Sequence, residues 1–302
     1  MHHCLKTYSI SDSGGKDMGE ERKTGLIMEG GAMRGMFTSG VLDVMMENGI
    51  TFDGAIGVSA GATFGCNIKS RQIGRAARYC AAYCNDERFA SLDSLRKTGD
   101  IYGVDFCYHE IPEVLDPFDY DAFRDNPMAF YVVATDIETG RAVYHRCYDC
   151  RGEDMQWIRA SASMPLVSRI VEIRGRKLLD GGMADSIPAA GFAKLGYNRN
   201  VVIMTQPLGF IKHKNEYMIP IKFKYKEYPN LIKAIGNRHK KYNAETTYIR
   251  TQELEGKLFV IRPPYALGVG SVERDASQLM RVYETGRSVM TERLEELKEY
   301  LK

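Results

Sequence analysis

The chain has 302 residues, 44% of them hydrophobic, with 41 Lys and Arg set against 39 Asp and Glu. That is enough apolar material for a sizeable core, which excludes a disordered chain, and a formal charge of +2 gives no global electrostatic reason to expect a nucleic-acid partner. Seven cysteines in no regular framework, no basic-then-apolar leader and no run near the roughly 18 apolar residues of a membrane span predict a cytoplasmic protein that meets lipid from the aqueous side.

Residues 1–23 carry serines, glycines and charges without a hydrophobic period and read as a mobile tail. A short apolar run at Gly25–Met28 then predicts a buried strand, followed by the glycine-rich turn Glu29-Gly30-Gly31-Ala32-Met33-Arg34-Gly35. Phe37, Val41, Leu42 and Met45 recur at helical spacing, and Asn48-Gly49 supplies residues that end a helix in the left-handed conformation. The pattern repeats with a strand at Ala55–Val58 and a helix over Ser59–Ile68, and two consecutive βα units predict a parallel sheet. Further strands are expected at Ala129–Thr135, Val201–Thr205 and Leu258–Arg262, with Ile170–Ile173 and Lys177–Leu179 pairing through a turn at Arg174-Gly175-Arg176. Ala184–Leu195 and Asp275–Lys302 read as helices. Residues 24–302 contain no repeat and no low-complexity linker, so one α/β domain is the simplest organisation.

Three motifs carry chemistry. Gly57-Val58-Ser59-Ala60-Gly61 fits the G-x-S-x-G elbow, where a serine sits on a sharp strand-to-helix turn and flanking glycines avoid collision. Gly30-Gly31-Ala32 opens onto a helix N-terminus, so successive backbone N–H groups can meet an oxyanion, with Arg34 and Gly35 in support. Asp180-Gly181-Gly182 follows the apolar pair Leu178-Leu179; alone it is a turn, but beside a serine nucleophile Asp180 can act as base in a shielded site.

In this order the motifs resemble the patatin-like phospholipase family, whose glycine-rich oxyanion loop ends in Arg/Lys-Gly and precedes G-x-S-x-G and Asp-Gly-Gly. The resemblance implies a three-layer α/β/α fold with a mainly parallel central sheet. It also implies a Ser-Asp dyad without histidine: Ser59 as nucleophile, Asp180 as base and acid, and Gly30, Gly31 and Ala32 as oxyanion donors. The expected activity is hydrolysis of lipid esters (phospholipid, lysophospholipid or acylglycerol), with no cofactor and no metal. One departure is Ala32, where the family carries a third glycine. Ala160-Ser161-Ala162-Ser163-Met164-Pro165 resembles the stretch that precedes the family's aspartate, and Asn237-Arg238-His239, Tyr242-Asn243 and Arg262-Pro263-Pro264 resemble a bacterial branch.

Two rival functions follow from the same residues. Gly30–Gly35 with Asp53 could serve a nucleotide-binding oxidoreductase, although G-x-G-x-x-G requires glycine where Ala32 stands. A catalytically silent lipid-binding or regulatory protein is the other alternative, should Ala32 spoil the loop. A Ser-Asp-His triad would draw on His213 or His239, since His109 and His145 precede Asp180. Cys80 with Cys84 and Cys147 with Cys150 could ligate a metal only if the two pairs met. Finally, residues 212–241 hold nine Lys or Arg and two acids. Ile221, Phe223 and Tyr225 alternate there with Lys222, Lys224 and Lys226, which predicts a strand-like face for peripheral contact with an anionic membrane.

Overall fold

The computed structural model describes residues 22–302. The expected tail therefore lies outside the described residues except for Arg22 and Lys23; Arg22 donates to the carbonyls of Tyr300 and Lys302, and the Lys23 N–H donates to Asn198 Oδ1 at 3.0 Å.

Among the described residues eight strands form one sheet: β1 (Thr24–Met28), β2 (Gly54–Val58), β3 (Ala129–Asp136), β4 (Arg141–Cys147), β5 (Val171–Ile173), β6 (Arg176–Asp180), β7 (Arg199–Ile203) and β8 (Leu258–Ile261). Among the described residues twelve α-helices accompany them: α1 (Gly35–Glu47), α2 (Ala60–Thr63), α3 (Cys66–Ser70), α4 (Arg75–Tyr83), α5 (Leu92–Thr98), α6 (Tyr120–Asp125), α7 (Gly152–Ser161), α8 (Ala189–Lys194), α9 (Met218–Lys224), α10 (Pro229–Leu254), α11 (Ala276–Glu292) and α12 (Leu294–Leu301). The order β3-β2-β1-β7-β8 is parallel throughout, while β4, β5 and β6 enter antiparallel. The α/β architecture is the one expected, with a mainly parallel centre.

Strand side chains alternate between two cores, as period-2 geometry demands. Leu26, Met28, Val201 and Ile203 face the helices α1, α4, α7 and α11, whereas Ile27, Ile56, Val202 and Val260 face α8 and α10. The helix α11 meets α1 backbone to backbone. A Cβ on Gly40 would stand 2.1 Å from Tyr283 O, and one on Gly286 would stand 2.1 Å from Phe37 O.

Several local expectations are corrected. The segment 221–226 is not strand-like but the end of α9, through Lys224, and the turn after it: Ile221 and Tyr225, four apart, are buried together, while Phe223 between them is 84% exposed. The predicted C-terminal helix 275–302 divides into α11 and α12 at Arg293, whose guanidinium donates to Val260 O at 2.5 Å and lies over the Phe259 ring. The predicted helix 184–195 starts only at Ala189, because Pro188 disfavours helical backbone at Ile187. The predicted helix over 59–68 is broken at Gly65 into α2 and α3. Strand β4 was not foreseen; it returns from β3 through a turn in which the Gly140 N–H donates to Asp136 O at 2.8 Å, with Gly140 at φ +66°.

Candidate active site

The β3 strand brings Ser59 and Asp180 together. Strand β4 occupies one edge of β3 along its length. The other edge is shared: β2 pairs with residues 129–133 in parallel, and β6 pairs with residues 134–136 in antiparallel register. Val58 lies opposite Val133 and Asp180 opposite Ala134, so the two strands meet head to head. The residue after β2 is Ser59; the last residue of β6 is Asp180. The Ser59 hydroxyl consequently lies within hydrogen-bonding reach of the Asp180 carboxylate.

Ser59 occupies a sharp turn at φ 54°, ψ −120°, a conformation that non-glycine residues rarely adopt. Its N–H donates to Ser161 Oγ at 2.9 Å, which fixes the elbow from α7. The two elbow glycines are dictated by backbone approach. A Cβ on Gly57 would come 2.2 Å from Gly61 O, and one on Gly61 2.4 Å from Met28 O.

Asp180 is 3% exposed, and burial pushes its carboxyl above the ordinary aspartate range. Against that act the Arg238 charge, the Ser59 hydroxyl and the Gly182 N–H, which donates to Oδ1 at 2.7 Å. The backbone is equally constrained: Asp180 N–H donates to Ser163 O at 2.8 Å, and Thr135 Oγ1 donates to Asp180 O at 2.8 Å. Gly181 leaves room for β3, since its Cβ would fall 2.1 Å from Val133 O.

The turn after β1 sits beside this pair. A Cβ on Gly30 would lie 3.1 Å from Ser59 Cβ, and one on Gly31 would lie 2.6 Å from Thr205 Oγ1. Ala32 takes φ +48°, the backbone a glycine would adopt freely, at a cost of about 1 kcal/mol. The N–H groups of Gly30, Gly31 and Ala32 have no acceptor among the described residues. Glu29 braces the loop from beneath, accepting the Thr205 N–H at 2.6 Å and the Tyr242 hydroxyl at 2.7 Å. Burial raises its carboxyl, opposed by Thr205, Tyr242, Arg34 and Lys212. Gly35 packs where a Cβ would clash with Ala60 and Phe64.

From Ser59 and Ala32 a cavity runs into an apolar interior lined by Phe64, Phe89, Ile111, Phe118 and Ile158. Most of its apolar walls come from segments outside the three motifs and were not foreseeable from the sequence.

The other candidates separate from this site. Among the described residues the partners of Asp180 are Ser59, Gly182 and Arg238, and no histidine is among them. His145 pairs with Asp154 at 2.7 Å and stacks on Trp157; His109 and His213 are exposed, and His239 has a buried Nδ1 without a partner. Asp53 accepts the Thr24 N–H and hydroxyl at 2.7 and 2.8 Å. It stands at the N-terminal ends of β1 and β2, the opposite end of the sheet from Gly30–Gly35, so the two do not form a dinucleotide site. The Cys150 thiol contacts Cys66, and Cys80 faces Cys107, so the two expected cysteine pairs do not merge. His145, Cys147 and Asp154 bring donor atoms within 4.8 Å of one another, yet Asp154 Oδ2 already accepts three N–H groups, from Tyr148, Asp149 and Cys150.

Glu29 was given no role in the sequence, and Ser161, Arg238 and Tyr242 drew notice only as a resemblance. Arg238 Nε donates to Gly182 O at 2.6 Å, so the helix α10 grips the Asp-Gly-Gly turn.

A sequence profile described as "Patatin-like phospholipase" matches residues 26–193, and a second, described as a domain of unknown function, matches residues 228–302. The chain is 28% identical over 290 residues to the uncharacterised protein YjjU of Escherichia coli, covering 87% of this chain and 74% of that one. It is 27% identical over 181 residues to the uncharacterised NTE family protein Rv1063c of Mycobacterium tuberculosis, covering 60% of this chain and 48% of the relative. It is 29% identical over 181 residues to lysophospholipase nte1 of Emericella nidulans, covering 58% of this chain and 11% of that longer protein.

Proposed function

The chain belongs to the patatin-like phospholipase family of lipid acyl hydrolases, and from that premise we propose that it cleaves lipid carboxylic esters with Ser59 as nucleophile and Asp180 as general base. The observation that carries this reading is the head-to-head meeting of β2 and β6 on one edge of β3. Asp180 takes the hydroxyl proton while Ser59 Oγ attacks the ester carbonyl carbon. The negative charge that forms on the carbonyl oxygen meets the free amides of Gly30, Gly31 and Ala32. As the C–O bond breaks, Asp180 returns the proton to the leaving alkoxide, leaving an acyl-serine. Water, deprotonated by the same carboxylate, then releases the fatty acid and restores Ser59.

The raised Asp180 carboxyl favours this role, because a base nearer the working pH shares the proton more evenly. Ala32 supports turnover rather than silence. It adopts the left-handed backbone of the missing glycine and keeps its N–H free, so the loop retains its donors.

We also infer that residues 24–302 act as one domain, since β8 extends the sheet and α11 packs on α1. Peripheral membrane contact belongs to the segment 212–241, on a helical face rather than a strand face: Ile219 and Phe223, both 84% exposed, project from α9 among Lys214, Lys222 and Lys226. Among the described residues no helix is long and apolar enough to cross a membrane.

The test is hydrolysis of a medium-chain p-nitrophenyl ester by wild type, Ser59→Ala and Asp180→Asn, each checked for folding by circular dichroism. Turnover by wild type alone is expected. Equal activity in all three would overturn the assignment.

A further inference from the structure

Two cysteines on separate segments meet in the wall of the cavity that opens at Ser59. Cys66 begins α3, and Cys150 lies in the turn between β4 and α7; both line the cavity, together with Ser59, Phe118 and Arg75. The two thiols are in hydrogen-bonding contact. Contacts around them bring the same two segments together. Arg75 donates to Asn67 Oδ1 on α3 at 3.3 Å and lies 5.2 Å from the Phe118 ring centroid. Phe118 meets Tyr120 edge-on at 5.1 Å, and the guanidinium of Arg151, next to Cys150, lies 3.9 Å from the Tyr120 ring centroid. The turn itself is held: Cys150 takes φ +61° and gives its N–H to Asp154 Oδ2 at 3.2 Å.

The pair is unequal. The Cys150 S–H and the Arg75 charge favour the Cys66 thiolate and hold that thiol below its ordinary range against the effect of burial, whereas burial pushes the thiols of Cys80, Cys107 and Cys147 up. Cys107 also lines the cavity, but its thiol donates to Phe89 O at 3.4 Å. A thiolate beside a second thiol is the arrangement that passes through sulfenic acid to a disulfide. The space around the pair is small. At about 120 Å³ the cavity is below the roughly 150 Å³ at which an engineered apolar cavity takes benzene. An acyl chain longer than that ring enters only if the walls part, and α3 and the turn carrying Cys150 are two of those walls. A covalent bond of about 2.05 Å between them would resist the parting.

We propose that Cys66 and Cys150 are a modification site, oxidised by a hydroperoxide to a disulfide that keeps the cavity from widening for longer acyl chains. The Cys66 sulfur attacks one peroxide oxygen, the O–O bond breaks and water leaves, giving a sulfenic acid. The Cys150 sulfur then attacks the Cys66 sulfur, and the hydroxyl leaves with the Cys150 proton as a second water. Two thiols and one hydrogen peroxide give one disulfide and two waters, the sulfurs losing the two electrons that the peroxide gains. The effect on chain length rests on the hydrolase reading above; formation of the disulfide does not.

The test treats wild type with hydrogen peroxide and maps its peptides by mass spectrometry without reduction. A Cys66–Cys150 cross-link is expected, replaced in Cys150→Ala by a dimedone adduct on Cys66. On oxidation of wild type, the ratio of kcat/KM for p-nitrophenyl decanoate to that for p-nitrophenyl acetate should fall about fourfold for each methylene shut out. The ratio should recover with dithiothreitol, which leaves methionine sulfoxide in place, and should not respond to peroxide in Cys150→Ala. Absence of the cross-link, or a cross-link to Cys107 or Cys147 instead, overturns the site. A Cys66–Cys150 cross-link with the ratio unchanged, or a change that dithiothreitol does not reverse, overturns the effect on chain length. A cross-link in wild type that hydrolyses neither ester would sink the hydrolase reading and leave the thiol pair standing.

Discussion

Replacing Arg238 by methionine removes the positive charge that most opposes the burial of Asp180, while keeping much of the side-chain bulk on α10. As a general scale, two unit charges roughly 4 Å apart at an effective dielectric near 20 interact by about 4 kcal/mol. The Arg238 side chain is partly open to solvent, so screening leaves only part of that energy acting on the carboxyl. The sign follows from the role of the group. Asp180 must be ionised to accept the serine proton, so activity falls as pH drops through its pKa, and losing a nearby cation raises that pKa. The acid limb of kcat/KM for a p-nitrophenyl ester, measured from pH 4 to 9, should therefore move toward neutrality in Arg238→Met. Arg238→Lys separates charge from geometry: it loses the 2.6 Å bond to Gly182 O but keeps the cation, and its limb should stay near the wild-type position. A uniform drop in rate at every pH, with the limb unmoved in Arg238→Met, would refute the electrostatic argument.

Asp180→Asn should raise stability while removing activity, by about 1 kcal/mol or roughly 2 °C in Tm at pH 7.5, read by thermal denaturation. Because the folded-state pKa is raised, the penalty of the ionised carboxylate is present above that pKa and disappears as pH falls below the unfolded value; the gain should shrink on acidification and not grow. Gly61→Ala places a Cβ 2.4 Å from the Met28 carbonyl oxygen, against a central strand that cannot retreat, and should cost about 3 kcal/mol or more in chemical denaturation. Replacing both Ile219 and Phe223 by serine should lower partitioning onto phosphatidylserine-containing vesicles about tenfold in a sedimentation assay, with no change in hydrolysis of a soluble ester.

What could be read from the chain was whatever depends on local backbone chemistry. The elbow around Ser59 is legible because Gly57 and Gly61 answer to steric limits within a few residues, and the βα units because apolar runs alternate with helical spacing. The segment 221–226 misled because Ile221 and Tyr225 satisfy both a two-residue and a four-residue repeat; only the burial of one pair and the exposure of Phe223 decides between them. Glu29 carried no readable role beside the glycines, since its partners Thr205 and Tyr242 lie far along the chain. The same holds for Arg238, whose contact with Gly182 depends on how α10 crosses the sheet.

The shared edge of β3 also has a kinetic meaning. Neither β2 nor β6 alone makes a site; the pair exists only once both have docked on neighbouring rungs of the same strand, at Val133 and Ala134. These are pairings between distant parts of the chain, which form late because the intervening loops must close first. During refolding, helical signal should return before the β5–β6 hairpin has closed against β3, and ester hydrolysis only afterwards, which makes the protein's own turnover a clock for its last long-range strand pairing.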